Sequence, residues 1–401
     1  MLHRSALAVR GALGFATAIG MVATLAGCAT TAPAAGSDRI SVSSEACGTG
    51  WSDPRAGQQT FVITNRDIVA GEVYLADAGT HAVYAYVDDV APNATAELRI
   101  DLGSGRYAFL CAMSDRSVTA GKTVTVPGHA KGTRPVRPVS QNDLVPATKA
   151  YHTYVASALP GLEAQAQRLA DDIHSGNLGQ ARADWLPAHL AYERLGAAYN
   201  AFGAADAAIN GLSAGLPQGV SDPDFTGFHR IEYGLWHDQS TAVLTPLADE
   251  LVTDIAKLAS DFASEEVEPL DLSIRAHEIA ENALQFELTG QSDYGSGTSL
   301  ASVGAELDGT KVVLDILKPV LGPRYPDLAR VYRELATASA DVDALQNASA
   351  PQGARAAQPV DGWPPLTSLT TAERERINSD LSGLTGLLAP VASICEPRRT
   401  S

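Results

Sequence analysis

The order of hydrophobic and polar positions separates two regions of the chain. From Ile40 to about Val126, short runs such as QQTFVITN and RYAFLCAM alternate apolar with polar residues and are bounded by Gly, Asn, Asp or Pro. Short strands that recur about every 8–12 residues predict a small all-β sandwich or Greek-key barrel. From Pro146 onwards the apolar period lengthens to about 3.6 residues, which predicts an all-α domain built as an up-and-down helical bundle.

The ends of the predicted helices carry recognisable capping residues. Thr370 and Glu373 match a capping box, and Thr245 followed by Pro246 matches an N-cap with proline at the first helical position. Gly176 follows the end of another predicted helix. The predicted helices span residues 147–174, 178–202, 226–237, 245–263, 271–288, 299–319, 326–346 and 370–393.

The first residues carry a targeting pattern. Arg4 and Arg10 precede an apolar stretch that ends at Cys28, which is typical of a bacterial lipobox; an ordinary secretory signal is the alternative. The lipobox predicts cleavage before Cys28 and a lipid on its sulfur, so that the protein is anchored to a membrane outside the cytoplasm or is periplasmic. The predicted organisation is a signal peptide at 1–27, a tether at 28–39, the β-sandwich at 40–127, a linker at 128–145 and the helical domain at 146–396.

The composition limits the classes of function that the protein can have. The chain has 46 acidic and 29 basic residues and a formal net charge of −17. Because it also lacks a basic block, it is a poor candidate for nucleic-acid binding and better suited to binding cations. The sequence contains no Walker or H-E-x-x-H motif, and its G-x-S-x-G match, GLSAG at 211–215, lies in the predicted helical region and not after a strand. The common signatures of nucleotide-binding proteins and zinc peptidases and the strand-to-helix elbow of nucleophilic hydrolases are therefore missing.

The segment GFHRIE contains the sharpest candidate for metal binding. With Thr226 as N-cap, His229 lies in the first helical turn and Glu232 three residues further, so both side chains lie on one face. An imidazole and a carboxylate on one face can ligate a transition metal ion, and the helix N-terminus favours the neutral imidazole that such an ion needs. A His–Glu hydrogen bond on a helix surface is the alternative interpretation.

An upstream segment offers further ligands for the same site. His189 and Glu193 are spaced i, i+4, and Asp206 and Asn210 repeat this spacing on the next short segment. From spacing alone, we interpret His189 as part of a solvated helix face and Glu193 as a candidate ligand.

A third segment repeats the pattern. His277 and Glu281 are again i, i+4, with Glu287 further on. An ion-paired helix face and a second ligand-bearing segment are equally compatible with this spacing.

The predicted β-domain contains sulfur ligands. Cys111 and Met113 are two residues apart on a late strand, so both project to the same sheet face, while Cys47 lies near the first strand and Glu72 on a middle one. Cys and Met are soft ligands that suit copper, but no histidine follows Cys111 closely, which argues against a blue-copper centre. A Cys47–Cys111 disulfide is the alternative, because the predicted compartment is oxidising.

Four stretches of the helical region carry a family resemblance: ARADWLPAHLAYERLGAAYNAFGAADAAINGL, DPDFTGFHRIEYGLWHDQS, RAHEIAENALQFELTG and AELDGTKVVLDILKP. They resemble the imelysin-like family, in particular its iron-uptake lipoproteins of the EfeO type. The β-region resembles the cupredoxin-like domain that precedes the helical domain in those proteins. The resemblance implies an extracytoplasmic iron-binding protein that delivers iron to a membrane permease and works beside a haem peroxidase-like partner.

The resemblance also implies roles for individual residues. His229 and Glu232 match the family's H-x-x-E metal motif, Glu193 matches the acid of its Y-E pattern, and Asp206 matches an upstream acid. Asn210 stands where many members have a second Asp. In the β-domain, Cys47, Glu72, Cys111 and Met113 fall near the family's proposed copper or iron sites.

Three functions follow as hypotheses. The first is an iron-binding component of an uptake system, since carboxylates with histidine suit iron. The second is a metallopeptidase that uses zinc or another metal at the same H-x-x-E site, as some family members are classified. The third is a lipoprotein whose helical domain binds protein partners without a metal.

Overall fold

The computed structural model describes residues 37–346 and 361–400. The predicted signal peptide, the lipid attachment site Cys28 and most of the tether therefore lie outside the described residues. Within them a β-domain precedes ten α-helices, which confirms the predicted fold class. In these two ranges, none of the helices has the length and apolar character needed to span a membrane.

The β-domain consists of two sheets that share one core. One sheet has the order β1-β2-β5, with β1 parallel to β2. The other has the order β4-β3-β6-β7, with β8 also paired to β6. Alternate residues of both sheets are buried between them, including Phe61, Ile63, Val73, Leu75 and Phe109. The strands are β1 Ser37–Val42, β2 Gly57–Asn65, β3 Gly71–Asp77, β4 Val83–Val90, β5 Thr95–Leu102, β6 Gly105–Met113, β7 Thr119–Ala120 and β8 Val124–Val126.

The helices follow the predicted spans closely and bury one continuous core. Their bounds are α1 Gln141–Ser175, α2 Leu178–Glu193, α3 Tyr199–Phe202, α4 Ala204–Asn210, α5 Gly227–Trp236, α6 Thr241–Phe262, α7 Pro269–Asn282, α8 Ser299–Leu321, α9 Leu328–Asp343 and α10 Thr371–Cys395. A five-residue π-helical segment, Ala283–Glu287, continues α7.

Capping explains where these helices begin and end. The predicted capping box of Thr370 and Glu373 is confirmed, as is the left-handed Gly176 after α1. The start predicted at Thr245 is wrong: α6 begins four residues earlier, and Pro246 lies inside the helix, where it removes the hydrogen bond to the carbonyl of Ala242. A second capping box, formed by Ser140 and Asp143, starts α1 inside the predicted linker.

Candidate metal centre

Close packing holds helices α2 and α5 against each other. The indole Nε1 of Trp185 on α2 donates to the carbonyl of Phe228 on α5 at 2.9 Å. Gly227 begins α5 with φ +74°, and a Cβ there would lie 2.1 Å from the carbonyl oxygen of Ile209 at the end of α4. Glycine therefore allows α4 to approach the first turn of α5, the turn that carries His229.

Three side chains from these helices converge in the interior. One ligand atom from each of His189, Glu193 and His229 lies within 4.8 Å of the other two. The residues are 1%, 5% and 2% exposed, and the two imidazole rings meet edge to face with centroids 5.0 Å apart. The interpretation of His189 as part of a solvated face is therefore wrong. Trp185 precedes His189 by four residues and stacks on its ring. A large aromatic residue at this spacing is the sequence feature that could have indicated a buried His189.

The carboxylate of Glu193 lies at the middle of this group. His189 Nε2 lies 3.0 Å from its Oε1, Asn210 Nδ2 donates to the same oxygen at 2.7 Å, and the Tyr199 hydroxyl donates to Oε2 at 3.1 Å. Burial opposes ionisation, but the hydrogen bonds and the charge of His189 outweigh it and lower the pKa of Glu193. Glu193 thus offers an anionic carboxylate whose oxygens are held in place by hydrogen bonds.

Glu232 contacts His229 but lies outside the group of three. Its Oε1 accepts hydrogen bonds from the backbone amides of Tyr294 and Ser296, both at 3.0 Å, and its Oε2 lies 3.4 Å from His229 Nδ1. Burial raises the pKa of Glu232 to about 8. A carboxylate at one ring nitrogen orients a ligating histidine, so this geometry favours a positioning role for Glu232.

Asp206 also lies outside the group. Its Oδ1 accepts a 2.6 Å hydrogen bond from the Tyr192 hydroxyl, and burial raises its pKa to about 6. Its side chain therefore stabilises the residue next to Glu193. Direct ligation by Asp206 and by Glu232 stays a prediction.

The protonation state of His229 suits metal binding. Burial, with the neighbouring His189 ring adding to it, lowers the pKa of His229 to about 3. Its imidazole is therefore neutral at physiological pH and has a lone pair to donate. The Nδ1 atom of His189 is buried and has no hydrogen-bond partner in the described part of the chain.

The third predicted segment does not join this centre. His277 Nδ1 lies 3.5 Å from Glu281 Oε2 on the outer side of α7, and the Glu281 side chain is 52% exposed. The pair is an ion-paired helix face, which was one of its two interpretations.

The four candidate residues of the β-domain do not form one site. Cys47 and Cys111 are joined in a disulfide, so neither sulfur is a thiolate ligand in this structure. Cys111 and Met113 pair with Val73 and Gly71 and face the core, whereas the strand alternation places Glu72 on the opposite sheet face. The predicted metal site that combines these four residues is thus corrected to a disulfide with Met113 beside it in the core.

Glu72 instead faces the C-terminal residues that follow α10. Burial raises its pKa, and the guanidinium of Arg398 opposes this shift. Arg398 also stacks on Tyr86, and Arg399 donates to the carbonyl of Ala112 at 3.1 Å, so the C-terminal segment covers the outer face of this sheet.

A β-sandwich followed by a helical bundle with a buried histidine–carboxylate centre defines the class of this protein. A family profile for imelysin, a peptidase M75 family, matches residues 147–381. The chain belongs to the imelysin family and has the two-part organisation of its EfeO type. The match includes α2 to α9 and most of α1, and hence every residue of the centre.

Curated relatives are similar over most of their length. The chain is 26% identical over 360 residues to the "Iron uptake system component EfeO" of Escherichia coli O157:H7. The aligned region covers 89% of this chain and 90% of that protein. The proteins of the same name from E. coli strain K12 and Shigella flexneri are 25% identical over the same coverage.

Proposed function

We propose that this protein is an iron-binding component of an iron uptake system and that His189, Glu193 and His229 hold the ion. The convergence of these three ligand atoms within 4.8 Å carries the proposal. Two imidazoles and one carboxylate are the donor set with which many proteins bind non-haem Fe(II). Iron is here the cargo, and Glu232 positions the His229 ring.

The interior around the centre supports this role. The His189 nitrogen that faces the Glu193 carboxylate is Nε2, which lies 3.0 Å from Oε1. An ion between these two residues would take the lone pair of Nε2 and replace this contact. The net charge of −17 adds to the attraction because it concentrates cations near the surface.

The name of the relatives supports the biological setting. EfeO is described as a component of an iron uptake system. We propose that this chain delivers iron to a membrane permease and works beside a haem peroxidase-like partner. In this proposal, a lipid on Cys28 anchors the protein outside the cytoplasm. Copper or zinc at the β-domain stays a prediction that the disulfide makes less favourable.

Accessibility bears on the metallopeptidase hypothesis. A hydrolytic zinc site must admit a peptide bond next to a metal-bound water, whereas the three ligating residues here are at most 5% exposed. A metal ion needs a much smaller opening than a peptide. Incubation with casein and zinc tests the alternative, and cleavage that Glu232→Gln abolishes would support a peptidase.

Anaerobic calorimetry with Fe(II) tests the proposal. Wild-type protein should bind the ion, His229→Ala should lose this binding, and His277→Ala, which removes a partly exposed histidine of α7, should retain it. Equal binding by wild type and His229→Ala would contradict the assigned site. A folded wild-type protein that binds no iron would support the hypothesis of a partner-binding lipoprotein.

A further inference from the structure

A cleft lies between the β-domain and the helical domain. It has a volume of about 610 Å³ and is lined by strands β4 and β5, by the linker residues between 133 and 139, by the end of α10 and by the C-terminal segment. Small-molecule sites commonly have volumes of about 300–1,000 Å³ and often lie at domain interfaces. The cleft is therefore large enough for an organic ligand, and no residue of the proposed iron centre lines it.

Hydrogen bonds fix the linker side of this cleft to both domains. Val136 exchanges two backbone hydrogen bonds with Val83 of β4, both 2.8 Å long. The carbonyl of Arg137 accepts a 2.7 Å hydrogen bond from Nε of Arg324, which belongs to the helical domain. The linker backbone is thus held in place before a ligand arrives, which lowers the entropic cost of binding.

The lining of the cleft is basic although the chain is acidic. The chain has 46 acidic and 29 basic residues, so a surface region with an excess of positive charge is unusual in it. A concave site lined by charges of one sign attracts ligands of the opposite sign. The charged residues that line the cleft are five arginines and one glutamate: Arg99, Arg134, Arg137, Arg324, Arg398 and Glu396.

Two of these arginines are available to a ligand. Arg134 and Arg137 are exposed and form no ion pair with any described residue. A guanidinium group presents a planar fork of N–H donors that matches the oxygens of a carboxylate or sulfonate. The other three arginines already have acidic partners in the protein: Glu97 for Arg99, Asp143 for Arg324, and both Asp88 and Glu396 for Arg398.

The cleft also exposes hydrophobic surface. Tyr86 of β4 is 39% exposed and Val136 of the linker is 38% exposed, and both line the cleft. They are two of the six large hydrophobic side chains that are exposed within residues 37–346 and 361–400. A ligand that covered them would remove apolar surface from water, which favours binding.

We propose that this cleft binds a small organic anion with an aromatic body, such as an aromatic carboxylate. The anionic group binds Arg134 and Arg137, and the rings cover Tyr86 and Val136. An inorganic anion would leave the two hydrophobic side chains uncovered, and a neutral aromatic molecule would leave the two guanidinium groups without a partner. The inference goes beyond the proposed function and does not depend on the iron centre.

Titration with a fluorescent aromatic anion tests the cleft. The probe is 1-anilinonaphthalene-8-sulfonate, whose fluorescence rises in an apolar environment, and it is added to full-length protein without added metal. The cleft variant, Arg134→Gln with Arg137→Gln, removes both available charges. The control variant, Arg168→Gln with Arg333→Gln, removes two charges from exposed positions of α1 and α9. All four side chains are exposed, so neither variant should lose its fold.

The two variants should differ in their affinity for the sulfonate. We expect the cleft variant to bind it about tenfold more weakly than wild type or worse, because hydrogen bonds between charged groups are stronger than neutral ones. The control variant should stay within about twofold of wild type, because its substitutions lie away from the cleft.

A neutral dye separates recognition of the anion from recognition of the rings. N-phenyl-1-naphthylamine has the same rings as the sulfonate but carries no charge. Its affinity should be the same for wild type and the cleft variant. If the cleft variant lost as much affinity for the neutral dye as for the sulfonate, the two arginines would not act on the anionic group, and the proposal would be overturned.

Three further results would contradict the proposal. The first is a wild-type protein that does not bind the sulfonate. The second is equal affinity of wild type and the cleft variant for it. The third is an equal loss in the cleft and control variants, since net charge and not the cleft would then set the affinity. Each of these results leaves the proposed iron centre untouched, because none of its residues is changed.

Discussion

Helices α2 and α7 carry the same i, i+4 His–Glu pair in opposite surroundings. On α2 the side chains of His189 and Glu193 are 2% and 6% exposed and 3.0 Å apart. On α7 those of His277 and Glu281 are 22% and 52% exposed and 3.5 Å apart. The spacing only places two side chains on one helical face. What lies opposite that face decides whether the pair forms a metal centre or a surface ion pair.

The α2 pair faces two other elements. Helix α5 contributes the imidazole of His229, and α4 contributes the amide of Asn210, which bonds to both members of the pair. Each additional protein contact replaces water and fixes the ligand geometry before an ion arrives. The comparison therefore predicts that equal changes to the two pairs have very different consequences.

The largest expected difference in Fe(II) affinity is between a variant without the α2 pair and a variant without the α7 pair. His189→Ala with Glu193→Ala should weaken Fe(II) binding by more than about 100-fold, beyond the usual loss from an outer partner of a metal ligand. His277→Ala with Glu281→Ala should change it by less than about twofold, because an exposed pair contributes little. Anaerobic calorimetry measures both. Similar losses in the two variants would show that the pairs are equivalent after all.

A smaller loss of Fe(II) affinity is expected from replacing Glu232, whose carboxyl group contacts His229. Glu232→Gln keeps an oxygen for the amides of Tyr294 and Ser296 but places no anionic carboxylate at His229 Nδ1. Fe(II) affinity should fall by about 10–100-fold, as for other carboxylates that orient a ligating histidine. Glu278→Gln on α7 is the matched control. If Glu232→Gln lost as much affinity as the α2 double variant, Glu232 would be a direct ligand.

The next effect concerns pH. Burial raises the pKa of Glu232 and of Glu287 to about 8, from an ordinary value of 4.5, so both carboxyl groups are mainly protonated at pH 7 without metal. An ion bound to His229 favours the ionised form of the neighbouring Glu232 and so displaces its proton. Iron affinity should therefore rise with pH up to about 8, by up to about tenfold per pH unit for each proton released.

The stability of the metal-free protein should change in the opposite direction. A raised carboxyl pKa stabilises the fold below the unfolded value of 4.5, and this contribution is lost as the pH rises through about 8. Urea unfolding at several pH values measures it, and Glu287→Gln should flatten the slope. Stability that rises with pH over this range would contradict these buried neutral carboxyls.

The sequence predicts the fold better than the site because helix ends are local features and ligand convergence is not. The capping box of Thr370 and Glu373 involves residues three apart and is correctly placed. By contrast, the amides that hold Glu232 come from Tyr294 and Ser296, more than 60 residues further along the chain. The spacing of hydrophobic residues along the chain carries no information about a contact between residues so far apart.

The distinction between local and long-range features also explains which predictions for the β-domain are correct. The spacing of Cys111 and Met113 correctly places them on one sheet face. The face of Glu72 depends on the register between β3 and β6, in which Glu72 pairs with Ala112. Register is set by tertiary pairing, so a site that combined these strands could not be inferred from either strand alone.

The smallest effect on iron binding should follow from opening the disulfide. Cys47→Ser with Cys111→Ser removes a cross-link between residues 64 apart, which should cost about 4 kcal/mol of β-domain stability in the chain-entropy description. Iron affinity at the helical centre should stay within about twofold of wild type, because mutations at distant sites with no shared partners act independently. Thermal unfolding and calorimetry on the same samples measure the two quantities. A loss of iron binding in a variant whose helical domain stays folded would show that the β-domain contributes to the ligand set, and the contrast between α2 and α7 would then describe only part of the site.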